Sequence, residues 1–202
     1  MKLFLSGVNK KRAILQRLYF PRILPTLAVL RVHPARRVVL ADLDRWREVR
    51  HLAGTPTQAL VYLLCLHPEF RALVYWRLGA AGYVLRLFAP PLRTLHLLMP
   101  PSHVGPGLYV QHGDETFVAC RRIGRNAWLN QGITVGYTSD DDCPTLGDDV
   151  TLYSGCKVLG SVTLGDGVVV GANAVVLRDV PAGATVSPPV ARIVQGVRNS
   201  DG

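Results

Sequence analysis

The sequence predicts an α+β chain, with an N-terminal helical region followed by a left-handed parallel β-helix built on hexapeptide repeats. Three observations carry that prediction. Apolar residues recur at helical steps through the first hundred positions. A cluster of prolines, ending in Pro100-Pro101, then forbids helix continuation. Beyond it the apolar beat changes to one residue in six, a period that neither a helix nor an ordinary strand produces. These signals divide the 202 residues into a basic N-terminal arm (1–38), a helical domain (39–101), a β-helix (102–183) with a loop extruded at 136–145, and a C-terminal tail (184–202).

The arm owes its name to charge. Nine of the 23 Lys and Arg residues precede Asp42, the first acidic residue, and the other 14 balance the 14 Asp and Glu. The net +9 therefore belongs to one end of the chain. A solvated extension and a contact with an anionic membrane surface both fit that asymmetry. No nucleic-acid motif accompanies it, so nucleic acid is not an expected partner. No run of 18 apolar residues escapes a charge, and the apolar start Met-Lys-Leu-Phe-Leu turns basic too soon for a secretory signal. Cys65, Cys120, Cys143 and Cys156 show no paired spacing, so reduced thiols, a cytoplasmic setting and no metal are expected.

In the helical domain, Val39, Leu40, Leu43, Trp46, Val49 and Leu52 form one stripe, with Asp42, Asp44, Arg45 and Arg47 between them. Thr55-Pro56-Thr57-Gln58 reads as a capped helix start, with Gln58 placed for a capping box. His67-Pro68 ends that helix and begins another, which runs to about Gly79. A last helix is expected over 83–98, broken at Pro90-Pro91.

In the coil, Ile123, Leu129 and Val135 fall six apart, and the ladder resumes at Leu146 through Leu152, Val158, Leu164, Val170 and Val176. Ala127, Val150, Cys156, Val162, Val168 and Ala174 stand two positions earlier, all small or β-branched. Such a pattern suits a triangular shaft, with Gly after the ladder residue easing the corner. Leu146 stands eleven positions after Val135 in place of six, and the surplus reads as the extruded loop.

Helices followed by a hexapeptide coil resemble the serine O-acetyltransferase family and its relatives that acetylate saccharides. The segment Val104 to Gly113 is similar to the family's first coil, whose strand ends at a catalytic histidine. Leu129-Asn130-Gln131-Gly132-Ile133-Thr134-Val135-Gly136 resembles the segment before its extended loop, and Cys143-Pro144-Thr145-Leu146-Gly147-Asp148 its re-entry. The resemblance implies that His112 is the general base of a CoA-dependent O-acetyltransferase, a role that suits an imidazole near neutral pH. It also implies acetyl-CoA as co-substrate near Ser154, Gly155, Ala172, Asn173, Arg178 and Arg192. Assembly as a homotrimer or a dimer of trimers follows from the same likeness.

The acceptor is where the chain departs from the pattern. Gln111 replaces an acidic residue before the histidine, and Asp142-Cys143 replaces an Arg-His pair in the loop. The upstream acid falls at Leu97, and the acid that opens the serine-binding helix at Thr55. An amino acid needs an anion for its ammonium and a cation for its carboxylate. With neither in the family's place, a saccharide-like or other polyhydroxyl acceptor is expected, closer to the saccharide relatives. Serine with an altered pocket and an inactive trimeric scaffold are the alternatives. Gln111, Asp114, Glu115 and Cys143 are the candidate acceptor contacts, with Asp114 or Glu115 also able to orient His112.

Overall fold

A computed structural model describes residues 10–140 and 142–190. Five helices precede the coil: α1 (Lys10–Val32), α2 (Arg36–Val49), α3 (Pro56–Leu66), α4 (Pro68–Arg77) and α5 (Ala80–Leu85). Residues 10–32 of the basic stretch are thus a helix, and its second half buries Ile23, Thr26 and Leu30. Helix α3 begins with the expected capping box: Thr55 Oγ1 accepts from Gln58 N–H at 3.2 Å, and Thr55 N–H donates to Gln58 Oε1 at 3.0 Å. The helix expected over 83–98 does not form. α5 stops at Leu85, Pro90-Pro91 prevents resumption, and Leu95–Leu97 becomes strand β1 of the coil, paired in parallel with β3 (Thr116–Val118).

The coil is a three-sided prism of parallel strands. One face stacks β1, β3, β6 (Thr134–Gly136), β9 (Lys157–Leu159) and β12 (Val175–Val176). A second stacks β2 (Tyr109–Val110), β5 (Trp128–Leu129), β8 (Thr151–Leu152), β11 (Val169–Val170) and β13 (Thr185–Val186). The third stacks β4 (Arg122–Ile123), β7 (Thr145–Leu146) and β10 (Thr163–Leu164). Every ladder residue from Ile123 to Val176 points into the shaft and is at most 3% exposed. Apart from Gly136, which has open space around it, the glycines that follow the ladder act by close approach and not by unusual backbone. A Cβ on Gly105 would lie 2.7 Å from the Gly124 carbonyl oxygen, and one on Gly124 2.5 Å from that of Gly147. Neither has a positive φ.

The helices dock on the first coil through a buried ion pair. Asp42, placed by the sequence pattern on the polar side of α2, is 1% exposed. Its carboxylate accepts from Arg77 Nε at 2.9 Å and from the N–H groups of Gly107 and Leu108, both at 2.8 Å. Arg77 also donates to the carbonyls of Pro101, Val104 and Gly105. Burial pushes the Asp42 carboxyl up to about 6, opposed by Arg77 and the two backbone donors. Beside the pair, Trp46 donates to the Leu108 carbonyl and meets Tyr109 edge-on, which in turn meets Trp128. This seam fixes the strand that leads into His112.

Candidate active site

His112 lies on the prism edge between β2 and β3, at φ 67° with an exposed ring. Gly113 follows at φ 76°, packed so that a Cβ would meet Val110 Cγ1 at 2.9 Å and Leu92 Cδ2 at 3.2 Å. Only glycine suits that combination of backbone and space. Asp114 and Glu115 complete the corner, both exposed. Thr94 Oγ1 donates to Asp114 Oδ1 at 3.2 Å, and Trp128 Nε1 donates to Gln111 Oε1 at 3.1 Å. Gln111 is therefore turned toward the aromatic seam. Among the described residues none hydrogen-bonds the His112 ring. Behind Gly113 stands a buried pair, His67 Nδ1 to Glu69 Oε1 at 2.9 Å. Burial alone would raise the Glu69 carboxyl, but the bond to His67, its own backbone N–H and the charge of Arg50 hold it below the usual range.

Four of the residues expected near CoA stack under His112 on the same edge. Gly132 N–H donates to Asp114 O, Gly155 N–H to Gln131 O and Asn173 N–H to Ser154 O, at 2.8, 3.1 and 3.0 Å. Ser154 and Gly155 thus lie two rungs below the histidine, and Ala172 and Asn173 three. Gly155 sits at φ 73° directly over the Asn173 side chain. Arg178 follows β12 and lies on the other edge of that face, and Arg192 lies outside the described residues.

Cys143 is also on the other edge, and the chain by itself does not bring it to His112. It lines a pocket of about 460 Å³ where the extruded loop folds over the corner after β3, with His103, Cys120, Arg121, Tyr137 and Asp140 among its walls. The loop is self-ordered: Asp142 accepts from the N–H groups of Thr138 and Ser139 at 2.7 and 2.9 Å. The Thr138 hydroxyl, first among these donors, holds the Asp142 carboxyl below its ordinary range. Burial, with Cys143 nearby, pushes the Cys120 thiol up to about 12, so it is no nucleophile. No group of three or more metal-ligating side chains occurs among the described residues. Arg121 had no signal in the sequence, because the pocket is assembled from segments distant in the chain. The arginine would have been a signal only if the corner after β3 had been placed beside the loop.

Comparison with known proteins bears on the acceptor. The bacterial transferase hexapeptide family (six repeats) matches residues 143–178. A serine acetyltransferase of Synechococcus elongatus is 36% identical over 153 residues, 69% of this chain and 62% of that protein. One from Helicobacter pylori is 36% identical over 135 residues, 61% of this chain and 79% of that protein. The chain thus spans less than two thirds of the first relative and about four fifths of the second. Among solved structures, the serine acetyltransferase of Neisseria gonorrhoeae in complex with serine has a TM-score of 0.59 at 24% identity, covering 79% of this chain and 68% of that one. That of Brucella abortus has a TM-score of 0.62 at 23% identity, covering 95% and 86%. At such identities these likenesses speak for the fold. The curated relatives overturn the expectation of a closer tie to saccharide acetyltransferases, since they are serine acetyltransferases. That expectation weighed a few acceptor contacts, which a family can relocate, above the scaffold that carries most of the identity.

Proposed function

Because the chain belongs to the serine acetyltransferase family of hexapeptide-repeat acyltransferases, we propose that it transfers acetyl from acetyl-CoA to the hydroxyl of serine, with His112 as general base. The observation that carries the serine reading is the loop pocket. It holds both Arg121 and Asp140, the cation and the anion that a zwitterionic amino acid requires. Neither stands where the family pattern puts its charges, which is why the sequence pointed elsewhere.

The chemistry follows from the groups present. The neutral imidazole of His112 takes the serine hydroxyl proton as the oxygen attacks the thioester carbonyl. The tetrahedral intermediate collapses by breaking the carbon–sulfur bond, and the departing thiolate recovers the proton from the imidazolium. Acetyl-CoA in this reading lies along the edge below His112, where Ser154, Gly155, Ala172 and Asn173 offer small side chains for close approach of the pantetheine.

His112 and the loop pocket flank opposite ends of β3, whose three residues span roughly 10 Å. Attack needs the reacting atoms about 3–3.5 Å apart. The site is therefore completed by a second copy, the histidine edge of one facing the pocket of the next in a closed ring. A trimer suits the three-sided prism. The face between the two edges exposes Leu98 and Phe117 at one end and Val175 and Leu177 at the other, with Thr134 and Lys157 between Phe117 and Val175, a mixed surface fit for that contact. In the ring Arg178, on the pocket edge, comes toward the neighbour's CoA groove.

The pocket reading predicts a selective defect. Arg121→Ala raises the KM for serine at least about tenfold, the scale of one lost charge-assisted hydrogen bond, and leaves the KM for acetyl-CoA unchanged. Serine methyl ester, which lacks the carboxylate, loses less. Equal losses for serine and its ester overturn the assignment of Arg121.

The basic end adds a peripheral membrane contact to this proposal. Ile14, Leu15 and Leu18 are exposed on α1 among Lys10, Arg12 and Arg17, the mixture of apolar and cationic groups that favours an anionic lipid surface. No helix among the described residues is long and apolar enough to cross a membrane. Deleting the arm would uncover the helical core, so charge reversal is the proper test. Arg12→Glu with Arg17→Glu is expected to abolish salt-sensitive sedimentation with phosphatidylserine vesicles, and unchanged sedimentation contradicts the contact.

A further inference from the structure

The corner that carries His112 is built differently from those below it. Val110 pairs with Leu129 and Val118 with Val135, so the upper coil takes eight residues over a step that the next covers in six. Gln111 N–H still donates to Leu129 O, and the following rung bond runs from Gly132 N–H to Asp114 O, both at 2.8 Å. Between them His112 and Gly113 leave the ladder as a bulge, and Asp114 takes the register place above Gln131.

Gln131 carries an anomaly. Its side-chain oxygen is buried with no hydrogen-bond partner among the described residues. Buried amide oxygens are nearly always paired, and an unpaired one calls for a donor. One coil above, in the bulge that precedes Asp114, the exposed His112 ring is also unbonded among the described residues. A neutral imidazole acting as base offers a lone pair on one nitrogen and must place the N–H of the other against an acceptor. The other acceptors of this corner are engaged, absent or, as with the exposed Glu115, open to solvent. Asp114 is held by Thr94, Gln111 Oε1 by Trp128, and Leu97 stands where the family pattern puts an acid.

The geometry points to Gln131 as the positioning residue of His112: rotation of the exposed imidazole lays its N–H on Gln131 Oε1. The tautomer is then fixed, and the remaining nitrogen's lone pair faces the acceptor hydroxyl. This rests on His112 being the base, but not on serine being the acceptor. A neutral amide replaces a carboxylate as orienter, so the base keeps its tautomer without the added basicity an anion would give. The charged groups around the corner are Asp114 and Glu115 on the bulge and the Glu69–His67 pair behind Gly113.

Gln131→Met keeps the volume and removes the acceptor. It is expected to lower kcat about 10- to 100-fold, with both KM values within about twofold. Gln131→Glu restores the acceptor and adds charge, so kcat recovers and the limb of the pH profile that reports the base moves up by about one pH unit. Nitrogen-15 spectra of the histidine-labelled full chain, without substrate, should show one dominant His112 tautomer in the wild type and a mixture in Gln131→Met. That readout stands apart from the acceptor's identity and, for the wild type, from the folding of any variant. Mixed tautomers in the wild type, a Met variant with wild-type kcat and pH profile, or a loss confined to KM would each overturn the assignment.

Discussion

Replacing His112 by alanine is expected to lower kcat for acetyl transfer by about 10²- to 10⁴-fold, the range of a positioned general base. The KM for acetyl-CoA should hardly move, because the residues proposed to hold it, Ser154, Gly155, Ala172 and Asn173, lie two and three rungs below on backbone hydrogen bonds that the substitution leaves intact. The exposed ring makes few packing contacts, so thermal stability should stay close to the wild type. The loss is therefore chemical and not structural. Steady-state kinetics beside a thermal melt separate the two, and full activity in the alanine variant removes His112 from the mechanism.

The second large effect concerns the seam between helices and coil. Arg77→Met is expected to cost about 3–5 kcal/mol, since it strands a buried carboxylate while keeping the volume filled. The loss should grow with pH. The Asp42 carboxyl is already raised to about 6 from an ordinary 3.8, and without the guanidinium, burial lifts it further. A raised carboxyl means that the folded state favours the protonated form, so stability present at low pH is lost as pH rises through the folded value. Urea denaturation at pH 5 and pH 8 should show the larger deficit at pH 8. A deficit under about 1 kcal/mol at both would show that the pair is not what joins the two parts.

What could be read from the chain and what could not divide along a physical line. Each shaft residue from Ile123 to Val176 is a local, repeated choice, so the period of six declared the coil without any long-range contact. The capping box at Thr55 and Gln58 is equally local, a reciprocal pair three residues apart. Asp42 and Arg77 lie 35 residues apart, and an amphipathic pattern assigns any charge to the surface, so their burial had no local signal. The bulge at His112 was hidden for a different reason. Two surplus residues beside a glycine look like any turn until the register of Val110 and Val118 against the next coil is known. The same holds for the proposed acceptor site: Arg121 and Asp140 line one pocket only because the loop folds back over the corner after β3. The missing charges were read as a missing amino-acid site, whereas the proposed serine pocket takes both signs from other positions.

Release of CoA thiol by the 202-residue chain is the direct test of the proposed acetyl transfer to serine. With acetyl-CoA held constant, the rate of thiol release should rise with L-serine and saturate, O-acetylserine should accumulate in equal amount, and both should vanish in His112→Ala. Thiol release that does not respond to serine at any concentration would contradict it.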